Sequence, residues 1–408
     1  MTRSRADITL LFATRSLRLF AYGFLSIVFV LYLVRIGLGG PAIGLLLALT
    51  LLGDAGISLW ITTRADRAGR RAMLIAGALL MSAGGSAFLL THNPGWLMVA
   101  AIIGVISPSG NEIGPFLSIE QAALSQIVGD DDRTRVFAWY NLAGSCATAL
   151  GALAAGWLTR FAQLGGVSDL DSYRALLVAY AVAGAVLAIL FTRLTPAVEA
   201  PAATAHLGMR SRFGLHRSGK VVARLSALFA LDAFAGGFVL QSVMAYWFHV
   251  RFGASIAALG SLFFGANLLA AASALLAHRI AARIGLVNTM VFTHLPSNVL
   301  LVLVPLMPNM ALAMTVLLMR FAISQMDVPT RQSYTMAVVA PDERAAAAGL
   351  TGIARSIGAG IAPVIGGAFL MSGGGAPFFV AGGLKIVYDL LLYRAFRAAP
   401  MPTDDVRS

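Results

Sequence analysis

Apolar residues run along this chain in stretches of about twenty, parted by short segments that carry Arg, Gly or Pro. A helix of roughly 20 apolar residues matches the hydrocarbon thickness of a bilayer. The pattern predicts twelve spans, near 15–36, 41–63, 72–92, 95–128, 135–160 and 172–192, then 222–249, 256–278, 286–307, 310–339, 344–371 and 376–396. The run 95–128 is too long for one straight crossing and holds Pro108, Gly110, Gly114 and Pro115. It predicts a kinked helix that projects beyond the bilayer. Between the sixth and seventh spans the pattern lapses into Pro196, Pro201, an Ala/Thr stretch and Arg210, Arg212, Arg217 and Lys220. The expected organisation is therefore a first six-helix bundle over 1–194, a linker over 195–221, a second bundle over 222–396 and a tail over 397–408.

The halves repeat. A shift of 216 sets Arg35-Ile36-Gly37 on Arg251-Phe252-Gly253, Gly44 on Gly260, Arg67 on Arg283 and Gly69 on Gly285. A shift of 211 sets Glu120-Gln121 on Arg331-Gln332, Asp131-Asp132-Arg133 on Asp342-Glu343-Arg344 and Gly156 on Gly367. Six spans per repeat is an even number, so both copies enter from one side. The expected fold is an all-α integral membrane protein of twelve transmembrane helices, in two six-helix bundles related by pseudo-two-fold symmetry about the membrane normal.

Composition narrows the classes. Only 12% of residues are charged and 58% are hydrophobic, against roughly 25% charged in a soluble domain. A net charge of +12 on such a chain marks topology and not a nucleic-acid partner. Of the 30 Lys and Arg, four (Arg35, Arg160, Arg174, Arg251) fall in loops on one side and six (Arg15, Arg18, Arg320, Arg331, Arg355, Lys385) within spans. The other 20 lie on the opposite side, which the positive-inside rule assigns to the cytoplasm with both termini. The first apolar stretch, interrupted by Arg15 and Arg18, lacks the form of a cleavable signal and reads as a retained span. Cys146, the single cysteine, excludes a disulfide framework or a cysteine metal cage.

After the second span comes Thr62-Thr63-Arg64-Ala65-Asp66-Arg67-Ala68-Gly69-Arg70-Arg71. This resembles the signature of the major facilitator superfamily, G-x-L-x-D-R-x-G-R-R between spans 2 and 3, with Thr62 and Arg64 in place of Gly and Leu. The resemblance extends over essentially the whole chain. It implies a cytoplasmic gate of Asp66, Arg67, Gly69, Arg70 and Arg71, with the acid docking on the start of span 11 at 344–349, where the helix dipole favours it. It also implies that the loop arginine pairs with an acid at the cytoplasmic end of span 4, for which Glu120 is the candidate. The second-half copy, Ala282-Arg283-Ile284-Gly285-Leu286, has lost its acid. The exchanger pattern of span 5 lacks its Pro at Gly151–Gly156. A close version stands in span 11, at Gly358-Ala359-Gly360-Ile361-Ala362-Pro363-Val364-Ile365-Gly366-Gly367.

An ionisable group near mid-bilayer costs roughly 3 kcal/mol and is a functional candidate by default. Six acids qualify: Asp54, Glu112, Glu120, Asp232, Asp327 and Asp389. On a continuous helix Arg320, Asp327 and Arg331 share a face within about 20°. The resemblance makes spans 1, 4, 7 and 10 cavity-lining, so these charges and Arg355 are expected in or near the cavity. Asp327 is expected to be neutralised by Arg331, and Asp389 by Lys385, each at i,i+4. With Arg15 and Arg18 read as lying at the cytoplasmic start of span 1, Glu112 and Asp232 are left without a base. They are the first proton-coupling candidates, and Asp54 the next.

The expected function is secondary active transport of a small organic solute by alternating access in the cell inner membrane, by a monomer, with protons as the coupling ion. Export is the first reading, and proton-symport uptake of an organic anion the alternative, favoured by Arg320, Arg331 and Arg355. A non-transporting receptor is a further class. An enzyme would need a nucleophile–base pair or metal spacing such as H-E-x-x-H, and the six histidines are scattered. No cofactor, metal or nucleic acid is expected. No ATP-binding Gly-rich motif stands in the sequence.

Overall fold

A computed structural model describes residues 2–112, 114–199, 216–340 and 343–397, side chains excepted at 2–4, 66, 130, 131, 134 and 345. The described residues form fifteen α-helices and two 3-10 turns. The first half holds α1 (Thr2–Arg35), α2 (Gly40–Ala68), α3 (Arg70–Leu90), α4 (Pro94–Ile103), α5 (Phe116–Ile127), α6 (Asp130–Leu164) and α7 (Asp169–Phe191). The second holds α8 (Gly219–Gly237), α9 (Gln241–Phe252), α10 (Ile256–Ile284), α11 (Leu286–Leu303), α12 (Met310–Ser324), α13 (Asp327–Val338), α14 (Arg344–Leu370) and α15 (Ala376–Phe396).

Eleven stretches are long and apolar enough to cross a membrane, α8 with α9 and α12 with α13 each counting as one. The shorter apolar α4 and the following α5 fill the remaining predicted span. That span is broken, where a kinked helix was expected. Pro108 and Pro115 remove backbone donors, and the intervening chain turns through positive φ at Val105, Gly110 and Gly114. Two further spans are interrupted. Gly236 and Gly237 end α8, and the chain passes Phe238–Leu240 before α9. At Gln325–Met326 the helix yields because Pro329 lacks the N–H for the Gln325 carbonyl and its ring clashes with that group. The expected cavity-lining spans 4, 7 and 10 are thus the broken ones. Irregular backbone at membrane depth is tolerated where it is buried in protein or lines a cavity.

The first helix corrects the sequence expectation in a consequential way. It starts at Thr2 and its apolar span at Arg5, so Arg15 and Arg18 sit well inside it and both are buried.

The chain divides into two compact units, Met1–Gly208 with Leu240–Phe264, and Met209–Val239 with Gly265–Ser408. In the first unit α1 packs along α6 and α7, α3 on α7, α2 on α4, and α9 on α1. One carbonyl of the broken span is satisfied there: that of Pro108 accepts from the Ser242 N–H at 3.1 Å, in the open first turn of α9. In the second unit α8 packs along α14 and α15, and α11 on α15. The α8–α14 and α11–α15 pairings repeat α1–α6 and α3–α7, as a six-span repeat requires. The repeat reaches atomic detail. A Cβ on Gly23 would lie 2.2 Å from the Thr148 carbonyl oxygen, and one on Gly237 2.5 Å from that of Ala359.

Candidate functional site

In the first unit, α1 and the broken fourth span bring two bases onto two acids. Arg18 donates Nη1 and Nη2 to the two oxygens of Glu120 at 2.8 and 2.7 Å, and Nε to Glu112 at 3.0 Å. Arg15 Nη1 lies 3.1 Å from Glu112 Oε2, and Arg15 Nη2 donates to Asn141. The Tyr140 hydroxyl donates to Glu120 at 2.5 Å. Arg18 and Glu120 are fully buried, and a fork-on-carboxylate pair is the geometry that can offset their desolvation.

The second unit builds a larger cluster around Asp232 on α8. Lys385 Nζ (α15) lies 2.5 Å from Oδ1, while Arg331 Nη1 (α13) and Arg355 Nη1 (α14) lie 3.0 and 3.3 Å from Oδ2. Arg331 also contacts Asp327 at 3.3 Å. On α11, His294 Nδ1 lies 2.8 Å from Asp389 and its Nε2 3.9 Å from Asp232. Asn298 donates to Asp389 at 2.9 Å. Arg320 on α12 is buried with its Nε unpartnered and forms no ion pair among the described residues.

These two clusters occupy equivalent places with their charges exchanged. Arg18 maps on Asp232 by the shift that carries Gly23 to Gly237, and Glu120 maps on Arg331. The first span of the first unit gives the base and its fourth the acid; in the second unit the signs are reversed.

Several expectations need correction. Glu112 and Asp232 are not free of bases, so the criterion that selected them fails. Among the described residues Asp54 pairs with no base, and its Oδ1 is buried without a partner. Lys385 reaches across to Asp232 instead of folding back on Asp389, which His294 and Asn298 hold. The break at Gln325–Met326 takes Arg320 out of the helical register of Asp327 and Arg331, and the i,i+4 pair alone survives. Glu120 is committed to Arg18, so it does not receive the loop arginine.

The signature segment lies on two helix ends about Gly69, whose φ of +98° favours glycine. Arg70 Nη1 donates to Gln126 at 3.0 Å and to the Val198 carbonyl at 3.2 Å. The Asp66 side chain lies outside the described residues. Glu199 caps α3, accepting from the Arg70 and Arg71 N–H groups at 2.6 and 3.3 Å. Sequence reasoning missed it, because Glu199 lies 129 residues along the chain from Arg70 and no local pattern marks the contact. Ahead of α8, Glu343 accepts from the backbone of Arg217, His216 and Ser218 at 2.7, 2.5 and 2.8 Å. Those bonds hold its carboxyl well below the usual range, at about 2.

The comparisons agree with this architecture. An uncharacterized membrane protein of Saccharomyces cerevisiae is 30% identical over 95% of this chain and 93% of its own length. The nucleoside transporter NupG superposes with a TM-score of 0.76 at 13% identity, over 95% of this chain and 99% of that one. A D-xylose-proton symporter gives 0.69 at 14% identity, over 95% and 97%. At such identities the two structures speak for the fold. The profile of the Major Facilitator Superfamily matches residues 11–363, and the chain belongs to that family of multi-span secondary transporters.

Proposed function

We propose that this transporter takes up a small organic anion together with protons, as a monomer in the inner membrane with both termini in the cytoplasm. The observation that carries the reading is the surplus of bases in the second unit. Arg18 and Arg15 meet Glu120 and Glu112 two for two, whereas Asp232 alone draws Lys385, Arg331 and Arg355. The side chain of Arg355 is 36% exposed, against 7–9% for Arg331 and Lys385. A surplus guanidinium open on one side suits an anionic solute. The export reading rested on a single complete cytoplasmic latch together with unpaired cavity acids, and of these Glu112 and Asp232 are paired. The fold likeness to a D-xylose-proton symporter supports symport as well.

Reconstituted into proteoliposomes, the protein should accumulate small organic anions when the outside is made acidic, and should ignore their neutral amides. Uptake confined to neutral or cationic solutes, or export alone under the same gradient, overturns the reading. The segment Asp66, Arg67, Gly69, Arg70 and Arg71 is proposed as the cytoplasmic latch. Asp66→Asn should then shift the population inward-facing, and unchanged distances across the inner gate would refute it.

A further inference from the structure

Resting on the anion-uptake reading, we infer that Asp232 is the internal occupant of the substrate's anion site, which a substrate carboxylate takes over only when Asp232 accepts a proton. The equivalent pair in the first unit shows what structure alone requires. There one guanidinium spends both ends of its fork on one carboxylate, and Tyr140 completes it. Asp232 is held differently. Arg331 and Arg355 each offer a single Nη1, both to the same oxygen, and Lys385 holds the other. A guanidinium carries five N–H donors in a planar fork. Neither arginine lays that fork on Asp232, and Arg355 is the base that remains open to an incoming group.

The groups facing Asp232 fix the charge bookkeeping. They are Arg331 and Asp327 on α13, Arg355 on α14, Arg320 on α12, His294 on α11, and Lys385 and Asp389 on α15. With His294 neutral the set holds four bases and three acids. A substrate carboxylate brought onto Arg355 and Arg331 competes with Asp232 Oδ2 for the same donors, and the close approach of two carboxylates favours a proton on one of them. Asp232 then takes a proton from the medium and releases the arginines. On the far side the substrate leaves, Asp232 loses the proton, and its ion pairs re-form. One monovalent carboxylate and one proton move together, and no net charge crosses.

The test uses purified protein with acetate, lactate and benzoate as probes and their amides as controls. Thermal stabilisation by a carboxylate should strengthen about tenfold in affinity per pH unit of acidification in the wild type. Asp232→Asn should bind the same probe with no pH slope between pH 5.5 and 8, and at least as tightly. In liposomes the wild-type flux should ignore an imposed membrane potential, whereas that of Asp232→Asn should respond to it. Should the single variant not fold, Asp232→Asn with Lys385→Met removes one charge of each sign and gives the same readouts. If carboxylates bind and move but Asp232→Asn keeps the wild-type pH slope, the inference falls, anion uptake stands, and Asp54 becomes the proton carrier. If no probe binds or moves in the wild type, both fall.

Discussion

Arg18 sits at full burial between two acids, so a change there reports on desolvated charge more than on packing. Arg18→Met would leave Glu120 buried without a base, and breaking a buried pair from one side costs about 3–5 kcal/mol. The variant should unfold well below the wild type in detergent, or fail to accumulate folded. Adding Glu120→Leu should restore much of the loss, since removing both charges removes the penalty. A double variant no better than the single would show that Arg18 acts through shape alone. Asp54, Glu112, Glu120, Asp232, Asp327 and Asp389 could be picked out in the sequence, because scarcity of charge marks them, whereas Asp7, buried in the longer first helix and accepting from Thr195, was not. Their partners could not. The predicted first span opens at Arg15, which sets Arg15 and Arg18 at its cytoplasmic start, where a long basic side chain reads as snorkelling to the interface. Lys385 had an acid four residues on and a better one across the bundle, and one helix's periodicity says nothing of register between helices.

Helix breaks were legible to the degree that Pro or Gly carried them. Pro108 and Pro115 announced the first. Pro329 explains the interruption four residues before it, and Gly236-Gly237 the end of α8, but neither was weighed against an otherwise continuous apolar run. Tight crossings follow the same logic. Gly23 meets the Thr148 carbonyl, whereas a Cβ on Gly56 would meet nothing within 4 Å. Gly23→Val should therefore force α1 from α6 at about 3 kcal/mol, read as lost thermal stability, while Gly56→Val should leave stability near wild type. Equal stability for the two would refute the crossing. Glu343 offers a pH test at a helix start. Its carboxyl lies at about 2 in the folded protein against an ordinary 4.5. The stabilisation is thus fully present above about pH 4.5 and is lost as pH falls toward 2. Glu343→Gln should lower the melting temperature at pH 6, and the gap from wild type should close across that window. A gap that does not change with pH would assign the loss to something other than the carboxylate.

Over the whole molecule, the repeat and the twelve-span count came through because period and length survive where residue identity drifts. What did not come through is that the equivalent ion pairs run with opposite sign, which only the meeting of α1 with α5 and of α8 with α13 reveals. An even number of spans would put both termini on one side, and the proposed cytoplasmic side rests on the basic loops. Four bases on one face against 20 on the other is the asymmetry that orients a multi-span protein during insertion. Orientation is then a matter for labelling. With Cys146 replaced, a cysteine at Val167, between the fifth and sixth spans, should react in intact cells with a thiol reagent that does not cross the membrane. A cysteine at Ala202, in the linker, should react only once the cells are opened. The proposed topology puts the linker on the side of the basic loops, so reaction at Ala202 from outside intact cells would invert the whole assignment.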